Sequence, residues 1–409
     1  MIFLYIAAAI ILLEVTLQTT VKALRKNFQW LITEKDENPE LDKNGLKKFF
    51  NSSYDPKLGW VRKPNTTGKE RGQKGEITFH IDSFGARQNS HQTGKPEIAA
   101  FGDSYVFARQ VEDDETWEAQ LSEMIGRDVM NFGVGNYGAD QGLIRYERTD
   151  LPEEVNIAVL GFVPETICRV HSYWKHYLEF GNTFAFKPRF RLNDENELEL
   201  LENLMKTPAH FDRLDEIIPE VSRNDEFYKR KFRSVQFRFP YLLSFFRNPK
   251  RNSAIIGALI YREFKKLLGS VSPKIDNLPF RLIMKYNIKG SHEMYGEERS
   301  KLLLEKILLR FKQRAIERDH KPLILVMPQL LDLELTAGRD APYQQFYNDL
   351  ESEIDVIDMT PVFKEKAFRK LYIDDQYGGH LSKEGNRLVA EEIRKWYKKL
   401  KKDDAKSSK

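Results

Sequence analysis

Two short runs, far apart in the chain, carry the residue types of acyl transfer. Gly102-Asp103-Ser104-Tyr105 is one and Gly378-Gly379-His380-Leu381 is the other. A serine hydroxyl is a poor nucleophile at neutral pH; it needs a base within hydrogen-bond reach and donors for the oxyanion. Ser104 follows the apolar segment Ile98-Ala99-Ala100-Phe101, which reads as a buried parallel strand that stops at a glycine. Glycine lets the chain turn sharply there and presents the serine at the carboxyl edge of a sheet. His380 comes just before a helix-like stretch that opens around Ser382 and Glu384-Gly385-Asn386. Ser104 is the candidate nucleophile and His380 its candidate base.

The elements that must hold these two residues alternate along the chain. Strands are expected over 98–101, 129–132, 156–161, 322–328 and 355–359, with helices near 115–125, 139–149, 297–318, 340–351 and 383–400. Strands joined by helical crossovers predict an α/β fold, a doubly wound sheet of five parallel strands. Residues 171–296 break the alternation: 186–200 looks like a strand pair and the rest is helix-rich and aromatic. Upstream, 54–65 has turn chemistry around aromatic residues, and 77–81 alternates like a short strand that 82–85 turns.

Two further blocks complete a pattern. Asp128 to Gln141 reads as a strand entering a glycine-rich loop, and Asn156 to Phe162 as a strand that carries Gly161 near its end. The ordered set Gly-Asp-Ser, Asn-x-Gly-x-Gly, strand-Gly and His-Leu-Ser-x-Glu-Gly-Asn resembles the SGNH (GDSL-type) hydrolases over about residues 55–170 and 318–400. These are serine esterases and acyl-transferring relatives on a flavodoxin-like three-layer sandwich. The resemblance implies an SGNH domain of residues 97–170 and 297–400. Around it stand a membrane anchor or uncleaved signal over 1–26, an extension over 27–96 that packs on the core, a helix-rich cap over 171–296 and a disordered tail over 401–409.

It also implies roles. Ser104 attacks an acyl carbonyl and His380 takes its proton. The N–H groups of Ser104 and Asn136, with Gly135 beside it, hold the oxyanion; Asn136 stands where the family has glycine, and asparagine tolerates left-handed backbone angles. The family places its orienting acid three residues before the histidine, which is Tyr377 here. Asp375 is the expected acid and Asp374 its alternate, brought back by a bulge at Gly378-Gly379; a Ser-His dyad results if neither reaches. The family's third oxyanion donor, an asparagine, falls on Val163 or Glu165, and neither supplies a neutral donor. Losing one such donor costs about 2.7–4 kcal/mol in the transition state.

The implied activity is removal of O-acyl groups, O-acetyl first among them, from a glycan or small ester. Two alternatives keep the fold: an O-acetyltransferase domain of a surface-polysaccharide system fed by a membrane-bound acyl donor, and a degenerate glycan-binding domain. No cofactor is expected, since there is no phosphate-binding loop or dinucleotide fingerprint. No metal is expected either: His171 and His176 beside Cys168 fit none of the usual ligand spacings.

Composition bounds the rest. The chain has 409 residues, a formal net charge of +4, 12% aromatics and one cysteine, Cys168, which excludes an intrachain disulfide. Nothing global points to nucleic acid. Ile2 to Leu13 is unbroken apolar sequence, and extending it to Val21 gives a span of membrane length that includes Glu14 and Gln18. Membrane attachment through residues 1–21 is expected, with the catalytic domain extracytoplasmic. Lys22, Arg25 and Lys26 flank the run on the side opposite to the one the positive-inside rule would give that orientation. Between Lys229 and Lys266, eleven basic residues interleave with aromatics against one acid, Glu263. That stretch reads as a solvated cap, or as a surface for an anionic glycan or lipid headgroups.

Overall fold

The computed structural model describes residues 1–72, 75–373 and 379–407. The chain opens with helix α1 (Ile2–Arg25). A hairpin follows, β1 (Thr66–Arg71) with β2 (Glu76–Ile81), and then strand β3 (Pro96–Gly102). Helix α2 (Trp117–Ile125), strand β4 (Asp128–Gly133), helix α3 (Ala139–Arg148) and strand β5 (Ile157–Phe162) alternate next. A second hairpin, β6 (Arg189–Leu192) with β7 (Leu198–Leu201), precedes helices α4 (Tyr241–Arg247) and α5 (Pro249–Leu267). Helix α6 (Glu298–Glu317), strands β8 (Lys321–Val326) and β9 (Asp355–Asp358), and helix α7 (Lys383–Ser407) complete the alternation.

Two compact units result. The larger holds residues 52–170, 188–202 and 288–409; the smaller holds 1–51, 171–187 and 203–287. In the larger unit five strands form one parallel sheet in the order β4-β3-β5-β8-β9. The first strand lies between the second and third, so the order reverses at β3, where open α/β sheets bind ligands beyond the strands' carboxyl ends. The fold is an SGNH-like α/β sandwich with helical insertions. The inner strands β3, β5 and β8 are apolar along most of their length because both faces are covered. On one face Ile98, Ala100, Val129, Val159 and Leu325 pack under Trp117 and Leu121 of α2 and Val389 and Ile393 of α7. On the other Phe101 stacks on Phe132 at 4.8 Å and meets Tyr146 of α3, which meets Phe311 of α6.

The five core strands fall within two residues of the expected ranges. The 186–200 strand pair is the β6–β7 hairpin. Of the strands named above, β1 is unheralded: it reads Thr-Thr-Gly-Lys-Glu-Arg, without apolar alternation, and is ordered by its ladder with β2. The final helix continues to Ser407, past residue 400 and through the stretch expected to be disordered. Lys401 on this extension reaches Glu97 at 2.5 Å and lies over the Tyr397 ring.

The smaller unit is helical. Val21 and Leu24 of α1 pack with Phe28, Phe237, Tyr241, Ile255 and Leu259. The remainder of α1 is long and apolar enough to cross a bilayer, and its side chains are exposed up to Leu13.

Candidate active site

Three adjacent strands carry glycine at or next to their carboxyl ends, at one level. Gly102 of β3 pairs in register with Gly133 of β4 and Gly161 of β5. A Cβ at Gly102 would lie 1.8 Å from the Gly161 carbonyl oxygen; one at Gly133 would lie 2.1 Å from the Phe107 amide nitrogen; one at Gly161 would lie 2.6 Å from Val106. The turn after β3 therefore rests directly on the carboxyl edge of the sheet. Within it Phe107 N–H donates to the Asp103 carbonyl at 2.9 Å and Arg109 N–H to the Ser104 carbonyl at 3.1 Å.

That turn is held against its own preference. Ala108 and Gln110 have φ of +52° and +71°, the left-handed region that L-residues disfavour by about 1–2 kcal/mol. Arg87 compensates. Its buried guanidinium donates to the carbonyls of Phe107, Ala108 and Val111 at 2.9, 2.7 and 2.5 Å and to Asp113 Oδ1 at 2.8 Å. The rigid five-donor fork of arginine suits such a clamp. Asp103 anchors the other end. Its Oδ1 accepts from Tyr105 N–H at 2.8 Å, and its Oδ2 accepts from Val163 N–H at 2.9 Å and Arg169 Nη1 at 3.1 Å.

Ser104 and His380, 276 residues apart, meet in this setting: Nε2 of the imidazole lies 3.0 Å from the serine Oγ. The histidine loop is tied down beside it. Tyr105 O–H donates to the Gly379 carbonyl at 2.5 Å, and Ile373 N–H donates to the His380 carbonyl at 2.8 Å. Gly379 has φ +78°, which glycine alone adopts without cost.

The other ring nitrogen meets a residue that the motifs do not flag. His380 Nδ1 is 3.1 Å from Gln110 Oε1, while Gln110 Nε2 donates to the Arg71 carbonyl at 3.1 Å. A carbonyl only accepts, so the amide NH2 is committed to Arg71 and the amide oxygen is left facing the ring. Nδ1 then carries the proton, and the Nε2 lone pair faces the serine hydroxyl. A general base needs that tautomer.

The expected oxyanion residues sit on the loop after β4. Asn136 is left-handed, φ +70°, and exposed. Trp60 Nε1 donates to the Gly135 carbonyl at 3.0 Å, and Tyr137 O–H donates to the Trp60 carbonyl. Burial pushes the Tyr137 phenol up, so it stays a neutral donor. The N–H groups of Ser104, Gly135 and Asn136 donate to no acceptor among the described residues. The third block is committed elsewhere. Val163 N–H is bound to Asp103, and Glu165 accepts from Arg169 Nη2 at 3.0 Å. Asp374 and Asp375 lie outside the described residues. Of the residues in the discounted metal reading, His171 Nδ1 pairs with Glu226 at 2.6 Å, His176 Nε2 with the Asp36 carbonyl at 2.9 Å, and Cys168 Sγ with Met294 Sδ at 3.5 Å.

Asp103 and Arg87 also escaped assignment from sequence. Asp103 lay within the Gly-Asp-Ser run, so a signal existed; for Arg87 and Gln110 there was none.

No protein-family model and no curated protein matches the chain. Among solved structures it is similar to a protein from Desulfitobacterium hafniense named as a lipolytic protein of the G-D-S-L family. The two share 13% identity over 72% of this chain and 95% of that chain, with a TM-score of 0.29. At that score the likeness carries no argument about activity.

Proposed function

We propose that the protein is an SGNH-type serine esterase, anchored in a membrane by α1 with its catalytic unit outside the cytoplasm, that removes O-acyl groups from a glycan or small ester. The observation that supports this most is the 3.0 Å approach of His380 Nε2 to Ser104 Oγ at the carboxyl edge of the sheet. Ser104 Oγ adds to the acyl carbonyl as His380 Nε2 takes the hydroxyl proton. The oxyanion is met by the N–H groups of Ser104 and Asn136, with Gly135 beside them. Collapse expels the alkoxide, which receives the proton from His380 and leaves an acyl-serine. Water, deprotonated by the same nitrogen, then cleaves the acyl-serine. Asp375 or Asp374 would add charge support for the imidazolium.

A second reading has its own observation. The position of a third oxyanion donor is taken by the Glu165–Arg169 pair, at 3.0 Å. With fewer donors hydrolysis and acyl transfer are slowed alike, which favours glycan binding without turnover. One experiment separates the readings. Under the esterase reading an aryl acetate is hydrolysed, a fluorophosphonate labels the protein once, and both are lost in Ser104→Ala. Labelling that persists in the variant removes Ser104 as nucleophile. Turnover only with an added glycan acceptor supports transfer.

A further inference from the structure

Glu14 is an acid within an exposed apolar helix, and the structure gives it a partner. Its carboxylate accepts from the backbone N–H of Tyr241 and, at 2.8 Å, from that of Leu242, the first residues of α4. Those amides have no partner inside their own helix, and a carboxylate there also meets the positive end of the helix. Glu14 thus fixes the start of α4 at the level of residue 14 of α1. At this level α1 is still exposed and apolar: Ile10, Ile11, Leu12, Leu13 and Val15 face outward. Beside them α4 and the residue that leads into it expose Phe239 at 73%, Leu243 at 62% and Phe246 at 65%. Two segments more than 220 residues apart in sequence therefore build one apolar surface, tied by a charge-assisted cap.

Cations border it. Arg247 and Lys250 are exposed just after Phe246, and among the described residues neither pairs with a carboxylate. The one acid between Lys229 and Lys266, Glu263, is bound to Arg262 at 2.9 Å. Aromatic and aliphatic side chains rimmed by unpaired arginine and lysine are the chemistry of an anionic lipid interface, where the rings sit at the acyl boundary and the cations at the headgroups.

We propose that Phe239, Leu243 and Phe246 are immersed in an anionic bilayer alongside α1, so that the smaller unit is seated on the membrane and not merely tethered to it. The inference rests on α1 being the membrane anchor. Nitroxide labels placed at Leu243→Cys, Phe246→Cys, Leu12→Cys and Asn196→Cys in a Cys168→Ala background test it, with the full chain reconstituted in phosphatidylcholine–phosphatidylglycerol bilayers. Collisions with oxygen over those with a water-soluble nickel chelate should be several-fold more frequent at Leu243 and Phe246 than at exposed Asn196, and close to those at Leu12. Arg247→Gln with Lys250→Gln, or pure phosphatidylcholine, should raise nickel access at Phe246 and leave Leu12 unchanged. If Leu12 is lipid-exposed while Leu243 and Phe246 match Asn196, the surface is not a membrane face although the anchor stands. If Leu12 also meets the nickel chelate, the anchor reading itself has failed. Dipolar broadening at Phe246 that vanishes on dilution with unlabelled chain would identify a second copy as the occupant and overturn the lipid proposal.

Discussion

At the scale of residues, described residues address His380 at both ring nitrogens, and these contacts are unlike. Ser104 at Nε2 is the group to be activated; Gln110 at Nδ1 is a neutral amide whose own donors are spent on Arg71. A neutral acceptor can hold the tautomer but adds little when the imidazole becomes charged. Gln110→Ala should therefore lower turnover of an aryl acetate by roughly a factor of five, the worth of one ordinary hydrogen bond of about 1 kcal/mol. Gln110→Glu should do something that no packing role would. A carboxylate against Nδ1 favours the imidazolium and raises its pKa. The base acts only when neutral, so the acid limb of the kcat/KM profile should move to higher pH, with turnover retained on the alkaline side. A limb that stays in place while turnover falls would make Gln110 a packing residue. Asp375→Asn, measured beside these, reports how much charge support comes from the segment before the histidine: a fall larger than that of Gln110→Ala assigns it the main share.

At the scale of elements, the site depends on how closely one turn can lie on three strand ends. The same glycine-to-alanine change should then have opposite outcomes two residues apart. At Gly133 the added carbon would meet the Phe107 backbone at 2.1 Å, whereas at Gly135 it meets nothing within 4 Å. Gly133→Ala should destabilise the protein by about 1–3 kcal/mol, as overpacking does, and displace Ser104 enough to lose fluorophosphonate labelling. Gly135→Ala should stay within about 0.5 kcal/mol of the parent by thermal melting. Equal melting temperatures for the two would mean that the turn is not pressed on the sheet. The inner strands were legible because a strand buried on both faces is apolar along most of its length, and Ser104 and His380 were legible because they stand where such a strand ends and where a helix begins. Arg87 and Gln110 were not, since nothing near them in sequence says that a left-handed turn must be clamped. The role of Glu14 was hidden for the same reason: in sequence it only interrupts an apolar run, and its partners in α4 come 227 and 228 residues later. Polar β1 had no pattern to read, because its order comes from its partner strand.

At the scale of the whole molecule, each unit carries a titrating group that burial has displaced, and the two act in opposite directions. In the smaller unit His176 is held neutral. Its Nε2–H donates to the Asp36 carbonyl at 2.9 Å, Gly181 N–H approaches Nδ1 at 3.4 Å, and burial pulls its pKa down to about 4. A histidine whose folded pKa lies below its unfolded value of about 6.5 gives its full stabilisation above that value and loses it as pH falls towards 4. In the larger unit Asp358, at the end of β9, has its pKa raised to about 6 by desolvation, although it accepts from Thr360 N–H at 2.8 Å. A carboxyl raised in this way is stabilising below its unfolded pKa of about 3.8, and that contribution disappears as pH rises through 6. Each displacement of about two units corresponds to roughly 3 kcal/mol at 1.36 kcal/mol per unit. Scanning calorimetry between pH 4 and 8 should show the consequence. His176→Gln should melt less steeply with falling pH than the parent, because glutamine cannot be charged. Asp358→Asn should melt higher than the parent at pH 8 and no higher at pH 4, since asparagine keeps the cap on Thr360 without the buried charge. If the units melt separately, the parent should show two transitions that move apart or together as pH changes, each variant flattening one of them. If they melt as one, the two slopes oppose each other and the variants tilt the single transition in opposite senses. An Asp358→Asn protein that tracks the parent at every pH would show that the Asp358 carboxyl is as well solvated in the fold as outside it.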